Sequence, residues 1–166
     1  MESFDVIDKD RKPLNKVMLR GSILGENEFN VGVEAWIINS NNEILMTQRS
    51  ANKSHSNLWE CPGGCSIAGE TSIETLKREM SEEIGINISN FTVNRISTHL
   101  YKHQFVDIYT FNLDIDISKL SLQEEEVNDV KWVSINDFIL MVAKGEIVPS
   151  VVTRFKLIKD ILFNKI

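Results

Sequence analysis

The chain has 166 residues, long enough to bury a sizeable core within one domain. With 42% hydrophobic and 25% charged residues it has an ordinary globular composition, which excludes wholesale disorder. Eighteen Lys and Arg against 24 Asp and Glu leave a net charge of −6, which speaks against a nucleic-acid polymer or an anionic membrane as partner, since both call for a basic face.

The opening MESFDVIDKDRK lacks the basic and apolar regions of a secretory signal. The longest apolar run, Phe138 to Ala143, is far short of a membrane span, so a cytoplasmic location is expected. Cys61 and Cys65 stand without further cysteines and read as reduced thiols. Phe4 to Ile7 and Val17 to Leu19, separated by the turn-rich DKDRKP, predict a small N-terminal β-hairpin. Phe29 to Ile38 is a β-favouring run of the buried kind, and Ile44 to Met46 continues as its partner across a turn at Asn39 to Asn42. Ser50 to Asn57 reads as loop, and Pro62-Gly63-Gly64 as a forced bend.

Thr71 with Glu74 three residues on is a capping-box signature. Ile73, Leu76, Met80 and Ile84 follow at helical spacing, and Gly85 stands where a helix stops. Phe91 to Tyr101 and Phe105 to Leu113 predict two long strands. Leu120 to Asn128 is an acidic loop, and Val130 to Val133 a further strand. Ser134 with Asp137 opens a second helix ending near Gly145, and Ser150 opens a third with Val151, Phe155, Ile158 and Leu162 on one face. Strands and helices alternate without a clean βαβ rhythm, which predicts an α/β fold with a mixed sheet flanked by helices.

The chemistry gathers between Gly64 and Ile86. At 100° per residue Glu79, Glu82 and Glu83 share one flank of the helix, beside its apolar stripe. A solvated acidic face is the bland reading. Against it, Glu79 and Glu83 repel at i,i+4, and carboxylates in the C-terminal half oppose the helix dipole. A divalent cation reverses both penalties, and an oxygen-only donor set suits Mg²⁺ or Mn²⁺ rather than zinc. Arg78 is placed to bridge Glu70 with a forked guanidinium contact and so hold the loop on the helix. Arg49, Lys53, His55, Lys102 and His103 are candidate phosphate contacts, and Tyr101, Phe105 and Tyr109 candidate stacking groups.

Residues 64–86 follow G-x5-E-x7-R-E-(aliphatic)-x-E-E-x-G-(aliphatic), which resembles the Nudix box at every specified position. The resemblance implies a Nudix fold over 1–166, with a hairpin extension at 1–27 and a core with C-terminal helices at 28–166. It also implies Mg²⁺-dependent hydrolysis of a nucleoside diphosphate linked to another moiety, or of a related organic diphosphate. By position Glu79, Glu82 and Glu83 look like metal ligands, the Gly63 carbonyl like a further one, and Glu70 and Arg78 like the structural pair. Glu126, six residues before Trp132, looks like the glutamate that several members supply from outside the box. Arg49, Lys53 and His103 stand as substrate contacts, and the hairpin as either a homodimer contact or a lid. The N-terminal region also resembles the isopentenyl diphosphate isomerase branch. There the catalytic cysteine position falls on Gly63, and Cys65 stands where a metal-binding histidine belongs, so hydrolysis is favoured. A nucleotide-sensing module without turnover is the third alternative, disfavoured because the box keeps all its glutamates.

Overall fold

The structure, a computed structural model, describes residues 2–163. It begins with the antiparallel hairpin β1 (Ser3–Ile7) and β2 (Pro13–Leu19), which forms a small sheet of its own. The main sheet contains β3 (Asn30–Ile38), β4 (Glu43–Arg49), β5 (Trp59–Glu60), β6 (Gly63–Cys65), β7 (Asn94–Tyr101), β8 (Gln104–Asn112) and β9 (Val127–Ser134). Its order is β5-β4-β3-β8-β7, with β6 also paired to β3 and β9 to β4. Only β3 and β8 run parallel, in register from Asn30↔Gln104 to Ile38↔Asn112, so the sheet is mixed as expected.

Alternation along β3 divides the core in two. Val33, Ala35 and Ile37 face α1 (Ser72–Ile84), packing with Leu76, Met80 and Ile84. Trp36 faces α2 (Ile135–Ala143) and α3 (Pro149–Phe163), packing with Phe138, Val151 and Ile158. The sheet therefore lies between helices. At its start α1 has the reciprocal cap anticipated above: Thr71 accepts from the Glu74 N–H while the Glu74 carboxylate accepts from the Thr71 N–H. At its end Gly85 is left-handed (φ 72°) and the Ile86 N–H reaches the Met80 carbonyl.

Two local expectations change. Gly63 and Gly64 are not merely a bend but part of β6, antiparallel to β3 with Glu34↔Gly63 and Gly32↔Cys65. Their sequence has no β propensity, and the pairing is imposed by β3. Residues 91–93 lie outside β7, where Phe91 instead packs on Phe111. A 3₁₀ turn, Ile117–Lys119, interrupts the connection to β9. Among the described residues no helix is long and apolar enough to cross a membrane.

Candidate active site

The approach of β6 to β3 sets the geometry of the site. A Cβ on Gly63 would lie 2.2 Å from the Val33 carbonyl oxygen and 2.9 Å from the Glu34 Cα, both backbone atoms that cannot step aside. On Gly64 it would instead meet the Glu79 carboxylate, also at 2.2 Å. The two substitutions should thus separate. Gly63→Ala is expected to prise β6 from β3 and cost about 2–4 kcal/mol in urea denaturation. Gly64→Ala is expected to cost under about 1 kcal/mol while turnover falls, because the mobile end of Glu79 moves rather than the backbone.

The sequence puts Glu79, Glu82 and Glu83 on one flank, and the fold then gives them different surroundings. Glu82 is half exposed, Glu79 largely covered, and Glu83 buried at 4% exposure. Glu83 accepts from the Gly63 N–H at 3.1 Å, so the contact this glycine makes is through its amide. Burial pushes the Glu83 carboxyl up to about 8, helped by Glu79 and Glu60 and opposed by Lys53. Burial likewise raises Glu79 and Glu60 against the pull of Arg78 and Arg49.

Two cations occupy the middle of this acidic group. Arg78 donates to Glu70 from Nε (2.8 Å) and Nη2 (3.2 Å), to the Cys65 carbonyl (2.9 Å), and from Nη1 to Glu79 and Glu82 (2.9 Å each). It ties the loop that precedes α1 to the carboxylate flank. Burial opposes it, but Arg78, the Ile67 N–H and the Thr75 hydroxyl together hold the Glu70 carboxyl below its ordinary range. Lys53, from the β4–β5 loop, places Nζ 2.5 Å from Glu126 Oε2, 3.7 Å from Glu83 Oε1 and 3.9 Å from Glu60 Oε1. The Ser50 hydroxyl fixes that loop to the acidic one by donating to the Glu125 carbonyl. Among the described residues no three His, Cys, Asp or Glu side chains converge closely enough to form a ready-made metal cage. Yet the donor set fits a divalent cation. Four carboxylates share one end of the site, burial disfavours charge on two of them, and side-chain cations already fill the space between.

Beside this group a cleft of about 740 Å³ crosses β3, β8 and β7. Arg49 lines it, but its Nη1 makes two contacts with Glu60 (2.7 and 2.8 Å). Glu60 was not among the sequence candidates, nor was the buried pair in which Arg154 Nε donates to Glu34 Oε2 at 2.7 Å. The Trp36 indole N–H donates to the other Glu34 oxygen. His103 lies apart from these groups, its Nδ1 3.0 Å from the Glu28 carbonyl and its ring beside Phe29. Its neighbour Gln104 lines the cleft instead and donates to Cys65 Sγ at 3.2 Å. Tyr101 also lines the cleft, whereas Phe105 and Tyr109 are buried, Tyr109 sharing a hydrogen bond with Ser72.

The site is thus a glycine-bordered strand set against a carboxylate-bearing helix, within a mixed sheet between helices. The NUDIX domain model matches residues 28–153, and the chain belongs to the Nudix family of hydrolases. It is 29% identical over 151 residues to an uncharacterized Nudix hydrolase of Listeria innocua, covering 90% of this chain and 89% of that one. Over 101 residues it is 34% identical to the 8-oxo-dGTP diphosphatase of Buchnera aphidicola, covering 61% of this chain and 75% of that one. A crystal structure from Deinococcus radiodurans superposes with a TM-score of 0.75 at 21% identity, covering 89% and 92% of the two chains.

Proposed function

We propose that this hydrolase is Mg²⁺-dependent and cleaves the phosphoanhydride of a nucleoside diphosphate linked to another group, or of a related organic diphosphate. The observation that carries this reading is the gathering of Glu79, Glu82, Glu83 and Glu126 about Arg78 and Lys53 at one end of a cation-lined cleft. The 8-oxo-dGTP diphosphatases among its relatives support it. Bound there, Mg²⁺ or Mn²⁺ would neutralise the diphosphate and lower the pKa of a water molecule. The chain's own residues do the positioning. Glu79, Glu82 and Glu83 present carboxylate oxygens, Glu126 adds one from the acidic loop, and the Gly63 N–H orients Glu83. Arg78 holds Glu70 and the Cys65 carbonyl so that the loop keeps its place against α1. Arg49 and Lys53 bring positive charge to the same end. No covalent nucleophile is required for such a displacement.

The test is a panel of sugar nucleotides, dinucleotides, coenzyme A, nucleoside triphosphates and prenyl diphosphates at fixed Mg²⁺. Release of phosphate-containing products is expected from at least one compound, and EDTA or Glu82→Gln is expected to abolish it. Isomerisation of a prenyl diphosphate without such release would sink the hydrolase reading.

A further inference from the structure

The hairpin lies outside the residues matched by the family model, which begin at 28, yet it is fixed to the loop of the box at several points. Arg11 donates to both oxygens of the fully buried Asp107 at 2.7 Å each, with its guanidinium 5.3 Å over the Phe105 ring. The Ala68 N–H donates to the Ser3 carbonyl at 2.8 Å, and the Gly69 N–H to Asp5 Oδ2 at 2.7 Å. Ile7 and Phe29 exchange two backbone hydrogen bonds of 2.9 Å. These contacts tie the hairpin to the core, and the residue following β2, Arg20, lines the cleft.

The cations that line the cleft differ in what they are paired with. Arg49 is taken by Glu60, Lys53 by Glu126, and Arg154 by Glu34, all carboxylates at or inside the site. Arg20 pairs with Glu2, a half-exposed residue that does not line the cleft, while Arg20 itself lines it together with Gly64 and Cys65. A surface pair of this kind is weak and readily exchanged, whereas a guanidinium can grip a phosphate through two parallel N–H bonds.

We propose that Arg20 is a substrate-binding residue that takes a phosphate group of the diphosphate in the cleft that Arg49 and Lys53 also line. The hairpin thereby adds a specificity element to the Nudix core. A substrate with phosphoryl oxygens within reach of Arg20 is favoured over one whose anionic part stops short of it. This assignment rests on the diphosphate reading above.

The experiment measures binding and turnover separately. Imidodiphosphate, which resists hydrolysis, is titrated by calorimetry in saturating Mg²⁺, and KM and kcat are measured for the best compound of the panel. Arg20→Ala is expected to weaken imidodiphosphate about tenfold and raise KM similarly, with kcat within about twofold. Arg20→Lys should recover part of the loss. Glu2→Ala, which removes the surface partner and leaves the cleft intact, should bind as tightly as wild type or more so. Wild-type affinity in Arg20→Ala, or equal losses in Arg20→Ala and Glu2→Ala, overturns the assignment. If wild type binds imidodiphosphate but hydrolyses nothing, the hydrolase reading fails while the binding series still decides Arg20. If wild type binds none, both fail.

Discussion

Glu83→Gln is expected to give a protein that is inactive and yet, without metal, more stable than wild type at pH 8. The Glu83 carboxyl titrates at about 8 in the folded protein, against about 4.5 for the free side chain. As pH rises from about 4.5 the unfolded chain releases this proton while the folded chain keeps it, so folding loses stability across that window. The loss is complete once pH passes the folded value. Its ceiling is about 5 kcal/mol, and local relaxation brings the expected gain for the glutamine to about 2 kcal/mol. The Lys53 contact is already included, because the shift is upward despite it. Urea denaturation in EDTA should therefore show variant and wild type close together at pH 4.5 and diverging toward pH 8. Turnover should fall by about 10³-fold or more, since the substitution removes a carboxylate from the flank proposed to hold the metal. A difference in stability that does not grow with pH refutes the account.

The sequence makes α1 legible in detail because its signals are local. Thr71, Glu74, Gly85 and the Ile73–Leu76–Met80–Ile84 stripe act through neighbours three and four residues away. The carboxylate flank follows from the same periodicity. What periodicity does not reveal is that Glu83 is buried and Glu82 exposed, since that depends on β6 covering one edge of the flank. Strand β6 is itself unreadable locally: two glycines and a cysteine have no β preference, and only the pairing with β3 makes them a strand. The same reason hides Arg154 and Glu34, which lie 120 residues apart, and Arg11 and Asp107, which lie 96 apart. Their pairing exists only once α3 and the hairpin have docked.

Glu60 had a usable signal. It lies between the buried Trp59 and Cys61 in a short alternating run ahead of the box, which turns its side chain to the opposite face from theirs. His103 and Gln104 illustrate the same period of two from the other side. A one-residue step at the start of β8 moves the side chain between faces, so Gln104 enters the cleft and His103 meets Phe29 and Glu28.

Arg78→Ala is expected to produce the largest stability loss among the charged residues of the site, and one that metal partly repairs. The wild-type guanidinium serves Glu70, Glu79 and Glu82 and the Cys65 carbonyl together. Without it the largely covered Glu79 and Glu70 carboxylates have lost their counter-charge, a condition that costs about 3 kcal/mol in partly buried settings. Arg78→Lys keeps the charge but not the fork, and a single ammonium cannot serve Glu70 and the carboxylate flank together. It should recover less than half of the loss. Divalent cations at the flank would restore counter-charge to Glu79 and Glu82 but not to Glu70, which faces the loop. Saturating Mg²⁺ should therefore stabilise Arg78→Ala by more than it stabilises wild type, by about 1 kcal/mol, while part of the deficit remains. Thermal denaturation with EDTA and with Mg²⁺ measures both quantities. Equal Mg²⁺ stabilisation of the two proteins would show that Arg78 acts only on the loop. A full rescue would show that the flank, and not the Glu70 brace, is what Arg78 supports.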